Sequence, residues 1–162
     1  MTQAVEIRRN SANHDVLVSH LSRCDPDFVP RLSIRVTIDE YATKLEQSAD
    51  RFEAWVSDQL VGVVAMYCND PLLAEAFVTS VSVDPVARHQ GVARQLLDHA
   101  LEHAAGLGFR RAALEVDRAN EPAMALYSRA GFIETSRDDG GLRLVKGLSD
   151  VGLLQGRDDA RL

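Results

Sequence analysis

Between residues 76 and 107 the apolar residues change period, and few folds accommodate that change. Residues 76–83 (AFVTSVSV) alternate and are rich in β-branched side chains, which predicts a strand. Asp84-Pro85 ends it. From Val92 onward, Ala93, Leu96, Leu97, Ala100, Leu101, Ala104 and Leu107 recur at helical spacing, while Arg94, Gln95, Asp98, His99, Glu102 and His103 occupy the opposite face. Gly106 and Gly108 stop the helix. A strand feeding an amphipathic helix through a short loop calls for a helix layer packed on a sheet.

The flanking segments extend this pattern. Residues 5–8 read as a first strand and residues 14–21 as a short helix. Residues 22–36 carry Asp25-Pro26 and Val29-Pro30 without periodicity, and read as an irregular loop. Thr37 and Glu40 have capping-box spacing ahead of the stripe Ile38, Tyr41, Ala42, Leu45 and Ala49. Residues 51–57 and 60–67 predict a hairpin across Asp58-Gln59. Residues 111–116 predict another strand, and Asn120-Glu121-Pro122 opens a helix that Gly131 closes. Residues 132–135 and 142–145 predict a last hairpin across residues 138–141. The order β-α-α-β-β-β-α-β-α-β-β implies one α/β domain over residues 1–148. Its mixed central sheet would have about six or seven strands, flanked by about four helices. Residues 149–162 read as a loosely held tail.

Composition narrows the function. A net charge of −6 argues against non-specific nucleic-acid binding, which needs a basic surface. The N-terminal stretch MTQAVEIRRN has neither the apolar run of a signal peptide nor that of a membrane span. Cys24 and Cys68 form no CxxC and no disulfide framework, which fits a reducing cytoplasm. Cys68, in an apolar run, reads as a buried small hydrophobe.

The loop Arg88-His89-Gln90-Gly91-Val92-Ala93 joins the strand to the long helix. The unpaired N–H groups of a first helical turn, together with the helix dipole, favour an anion. Gly91 permits close backbone approach and Arg88 can add charge. The loop is neither a P-loop nor a dinucleotide fingerprint. Taken alone, it fits an ordinary turn as well as an anion site.

Its context is more specific. Arg88-x-x-Gly91-x-Ala93 fits the [RQ]-x-x-G-x-[GA] signature of the GNAT superfamily of acyl-CoA-dependent N-acetyltransferases. Residues 81–85 resemble that family's fourth strand and its exit. Residues 114–120, Ala125-Leu-Tyr127 and Ala130-Gly-Phe132 resemble its fifth strand and following helix. The resemblance implies a GNAT-like mixed sheet and acetyl-CoA as donor, with no metal and no membrane or nucleic-acid partner. It puts the amides of Gln90, Gly91, Val92, Ala93 and Arg94 on the pyrophosphate, with Arg88 and His89 beside them. It puts Val81, Ser82 and Val83 along the pantetheine arm, and Asn120, Ala123 and Tyr127 against the same arm. Homodimers are frequent in that family.

Acetylating an amine requires a neutral nucleophile and a proton for the departing thiolate. The resemblance makes Tyr127 the acid; helical spacing makes it a core aromatic. Glu115, within Ala112-Ala-Leu-Glu-Val116, reads as a base if desolvated, and its spacing from Tyr127 resembles that of bacterial ribosomal-protein alanine acetyltransferases. Strict alternation instead puts Glu115 on a solvated sheet face. Glu75, Thr79 and Ser80 are reserves. His99-Ala-Leu-Glu-His103 matches HxxEH, a zinc-peptidase pattern, but both histidines fall on the polar face of a helix without a third ligand. Three functions follow: acetylation of a small-molecule amine, acetylation of a protein N-terminus or lysine, and non-catalytic sensing of acetyl-CoA. Acceptor choice is expected of the loop at residues 22–36, the helix at residues 37–49 and the turn at residues 138–141, where Asp25, Asp27, Asp39 and Glu40 suit a cationic acceptor and Arg31 and Arg35 an anionic one.

Overall fold

The structure, a computed structural model, describes residues 4–137 and 141–148. The expected tail and most of the last hairpin's tip lie outside the described residues. Seven strands form one sheet in the order β1-β2-β3-β4-β5-β7-β6. They are β1 (Glu6–Arg9), β2 (Asp50–Val56), β3 (Gln59–Tyr67), β4 (Glu75–Val83), β5 (Arg111–Asp117), β6 (Ile133–Arg137) and β7 (Gly141–Gly147). The helices are α1 (His14–Cys24), α2 (Leu32–Arg35), α3 (Ile38–Ser48), α4 (Val92–Leu107) and α5 (Glu121–Arg129). Among the described residues, no helix is long and apolar enough to cross a membrane.

The helices cover both faces of the sheet. Leu96, Leu97, Ala100, Leu101 and Ala104 of α4 pack on Ala54, Val64, Met66 and Val78, and α5 adds Tyr127 to this core. Each buried leucine contributes about 1.5–3 kcal/mol. On the other face, Leu17 and Leu21 of α1 and Ala42 and Leu45 of α3 meet Trp55, Leu60, Val63 and Ala65.

Two departures from regular pairing shape the middle of the sheet. β4 and β5, the one parallel pair among the described strands, stay together only from Glu75↔Arg111 to Val78↔Leu114. Beyond that point no pairing joins them, and the sheet opens. The β3–β4 register jumps from Met66↔Val78 to Ala65↔Ser80, which leaves Thr79 as a bulge. The bulge reverses the alternation. Val78 faces the α4 core, and after one extra residue Val81 and Val83 face it again. Ser80 and Ser82 consequently turn toward α1 and α3.

Several local expectations need correction. Helix α1 runs on to Cys24, Asp25–Asp27 form a 3-10 turn, and Leu32–Arg35 form a helical turn inside the expected loop. The Asp25 carboxylate holds that turn, accepting from Ser33 N at 2.7 Å and Ser33 Oγ at 2.8 Å. Thr37 is the N-cap residue of α3 but makes no side-chain cap bond, so no capping box forms. The β2–β3 turn is Ser57-Asp58, both at positive φ (48° and 64°), one residue earlier than expected. Gly106 lies inside α4, and Gly108 at φ 99° caps it. Leu107 is 47% exposed rather than part of the stripe. Cys68 is half-buried, and burial pushes its thiol up to about 12.

Gly62 of β3 sets how closely α4 approaches the sheet. A methyl group there would come within 3.0 Å of Val92 Cγ1 and 3.2 Å of Leu96 Cδ1. We expect Gly62→Ala to lower stability by about 1–3 kcal/mol through overpacking. The urea midpoint measures this, and trimming the contact with Val92→Ala should restore part of the loss.

Candidate active site

A cavity of about 640 Å³ opens where β4 and β5 part. Its walls are the exposed edge of β4, the start of α4, one face of α5 and residues from the α1–α2 connection. Val81, Ser82 and Val83 line it from β4, and Arg88, His89, Gly91, Val92, Ala93 and Arg94 line it from the loop and first helical turn. Asn120, Ala123 and Tyr127 line it from α5. Of the residues expected around the coenzyme, Gln90 alone is not in the wall; it is exposed.

The loop's geometry follows from two residues at positive φ, His89 at 63° and Gly91 at 76°. Gly91 is the N-cap of α4 and supplies no side-chain acceptor, so the first-turn N–H groups keep their capacity for a ligand. A methyl group on Gly91 would meet nothing within 4 Å. Glycine is therefore required by the left-handed backbone, not by crowding.

Arg88 does not stand free. Its guanidinium pairs with the Asp27 carboxylate, and its Nε donates to the Val83 carbonyl at 3.2 Å. Asp27 holds the Arg88 pKa above its ordinary value. An anion arriving at the loop thus competes with Asp27 for one cation. Arg94 is paired with Asp98 at 3.0 Å, one helical turn on.

Helix α5 is fixed at both ends. Asn120 Oδ1 accepts from Ala123 N at 3.3 Å, the expected N-cap. At the other end Phe132 N donates to the Tyr127 carbonyl and Gly131 N to that of Ser128, with Gly131 at φ 97°. This closure seats the Tyr127 ring edge-on against Phe132, with centroids 5.9 Å apart. Tyr127 is 7% exposed, and burial raises its pKa well above the ordinary tyrosine value. No protein group bonds its hydroxyl among the described residues.

Glu115 lies apart from this wall. It is exposed, on the sheet face opposite Leu114 and Val116, so the expected desolvated carboxylate is not found. Alternation won over the charged residue's apolar surroundings in sequence. Glu115 does sit just past Leu114, where β5 leaves β4, at the lip of the opening. Among the reserves, Glu75 is engaged by Arg143 and Arg111, and Arg143 foremost holds its carboxyl below the usual range. The carbonyl and hydroxyl of Thr79 each lie 3.1 Å from Tyr41 Oη. The Ser80 hydroxyl is buried without a partner among the described residues. The HxxEH histidines diverge: His99 is exposed, and His103 turns to Asp50 at 3.3 Å.

The walls include residues that no sequence motif singled out, notably Cys24, Asp27, Phe28 and Arg129. Arg129 follows Ala123 and Leu126 at helical spacing, which could have revealed it. Residues 24–28 belong to the segment expected to choose the acceptor, but nothing local places them against this loop; they reach the cavity through the packing of α1.

The sheet parts between two parallel strands, and a helix N-terminus without a side-chain cap stands at the gap, an arrangement that offers unpaired N–H donors to an anion. The family described as Acetyltransferase (GNAT) family matches residues 15–132, and this chain belongs to that family. The chain is 33% identical over 93 residues to a mycothiol acetyltransferase of Geodermatophilus obscurus, covering 54% of this chain and 30% of that protein. It is 37% identical over 74 residues to the [ribosomal protein bS18]-alanine N-acetyltransferase of Escherichia coli, covering 46% of this chain and 50% of that protein. These matches span half or less of the relatives' own length. The fold resembles that of a PaiA N-acetyltransferase from Thermoplasma acidophilum in complex with coenzyme A. The TM-score is 0.76 at 17% identity, covering 89% of this chain and 99% of that one.

Proposed function

We propose that this chain transfers the acetyl group of acetyl-CoA to a primary amine of a small-molecule acceptor, by direct attack in a ternary complex. The observation that carries the reading is the continuous cavity from the β4 edge, past the α4 N-terminus, to Tyr127. First-turn amides of α4 take the pyrophosphate. The freed edge at Val81 and Val83 takes the pantetheine amides, and Asn120 and Ala123 border the same arm. Tyr127 donates its proton to the departing thiolate. Its raised pKa keeps the phenol protonated through the neutral range. Glu115, at the lip of the opening, receives the amine proton directly or through water.

A second reading, acetylation of a protein N-terminus or lysine, is supported by the stretch 37% identical to a ribosomal-protein alanine N-acetyltransferase. A panel of small amines and peptides, assayed with acetyl-CoA and a thiol reagent, separates the two. Turnover of small amines is expected. Turnover confined to peptide N-termini would replace the first reading by the second. Tight coenzyme binding with no turnover would leave a sensor.

A further inference from the structure

Behind the cavity wall lies a buried cluster that acetyl transfer does not use. His20 and Cys24 stand one turn apart on α1 and share a face, and Asp84 follows β4; all are almost wholly buried (0%, 1% and 1% exposed). Their ligand atoms lie within 4.8 Å of one another. His20 Nδ1 is 3.1 Å from Asp84 Oδ1, yet it has no aligned hydrogen-bond partner. Cys24 Sγ is 3.6 Å from the same carboxylate oxygen and 3.8 Å from His20 Nε2.

From these distances the geometry points to a zinc-type divalent cation site built by His20 Nδ1, Cys24 Sγ and Asp84 Oδ1. In a tetrahedral zinc site with Zn–N and Zn–O near 2.1 Å and Zn–S about 2.3 Å, the N–O and S–O edges come to about 3.4 and about 3.6 Å. The His20 Nδ1–Asp84 Oδ1 and Cys24 Sγ–Asp84 Oδ1 separations, 3.1 and 3.6 Å, already stand near those two values. Their outer partners fit the same role. His20 Nε2 lies 2.8 Å from Ser82 Oγ, and donation to that oxygen leaves the Nδ1 lone pair facing Asp84. Arg23 Nε holds the other Asp84 oxygen at 3.1 Å, as ligating carboxylates are commonly held. Of the three, Cys24 lines the cavity.

A metal is bound by the thiolate, so uptake at Cys24 must release its proton. The other grouping of this kind, Asp50, Cys68 and His103, is less suited. There Arg9 donates to His103 Nδ1 at 2.9 Å. The ring proton is then left on Nε2, facing Asp50, as an ordinary hydrogen bond at 3.3 Å.

Full-length protein, stripped of metal, would be titrated with Zn²⁺ and separately with Co²⁺, reading metal stoichiometry, proton release and the thiolate-to-cobalt charge-transfer band. One equivalent with that band is expected. Cys24→Ser should abolish the band while Cys68→Ser keeps it, and Ser82→Ala should weaken zinc binding by about 10- to 100-fold. Wild-type protein that stays metal-free in excess zinc would overturn the site and leave a His20–Asp84 ion pair. Loss of the band through Cys68→Ser instead would move the metal to the other cluster. Circular dichroism of each variant separates loss of ligand from loss of fold.

Discussion

Tyr127→Phe should lower kcat by roughly 100- to 10,000-fold, the usual worth of a positioned general acid, while the KM for acetyl-CoA changes little. The substitution removes one oxygen that no protein group bonds among the described residues. It keeps the ring that fills the α5 core and meets Phe132 edge-on at 5.9 Å. Thermal stability should therefore hold, which separates a chemical role from a packing role. The pH profile gives a second readout. Burial penalises the phenolate, so the acid form persists to higher pH than in an ordinary tyrosine. Wild-type kcat should accordingly hold through the ordinary tyrosine range and fall only above it, and Tyr127→Phe should lack that fall. An unchanged kcat removes Tyr127 from the reaction.

Elements with a strong period were legible in the chain itself. The strand and helix between residues 76 and 107, the Asn120 cap and the Gly131 closure all rest on interactions within a few residues of each other. Failures fell where a distant contact decides. The turn at Leu32–Arg35 exists because Asp25, eight residues back in a different turn, takes the Ser33 amide and hydroxyl. The β4 bulge was written in the sequence as a phase slip from Ala76 and Val78 to Val81 and Val83, and a strict alternation reading passes over it. For the cavity, the β4 and α5 walls were legible through the resemblance to the GNAT superfamily, and the loop also as the N-terminus of a helix. Residues 24–28 fall in the segment expected to choose the acceptor, but their place beside the Arg88–Ala93 loop was not readable, nor was Asp27's hold on Arg88, since sixty-one positions separate those two residues. Glu115 shows the converse: an apolar neighbourhood in sequence does not bury a side chain that alternation sends to the open face.

Glu53→Leu should cost more stability than Gly62→Ala or Tyr127→Phe, about 3–5 kcal/mol by stranding a buried charge. That is a large part of the ~5–15 kcal/mol that holds a typical domain together. Glu53 is 0% exposed and pairs with Arg51 at 3.1 Å, itself 3% exposed. The carboxylate also accepts from Ser11 N at 2.9 Å and Ala12 N at 3.1 Å, and from Trp55 Nε1 at 3.4 Å. Arg51 in turn donates to the Ala12 and Leu45 carbonyls. The pair thus ties the β1–α1 connection and the end of α3 to the middle of β2. Replacing a buried ion pair by apolar residues is often neutral, but here the double variant Arg51→Met/Glu53→Leu should stay destabilised. It still leaves the buried Ala12 N–H without an acceptor, at about 1–3 kcal/mol, beside the N–H of the more exposed Ser11. Glu53→Gln keeps an acceptor oxygen and should lose the least of the three. Urea midpoints for the set decide the point: a double variant as stable as wild type would mean that water or a shift of the β1–α1 connection satisfies those amides.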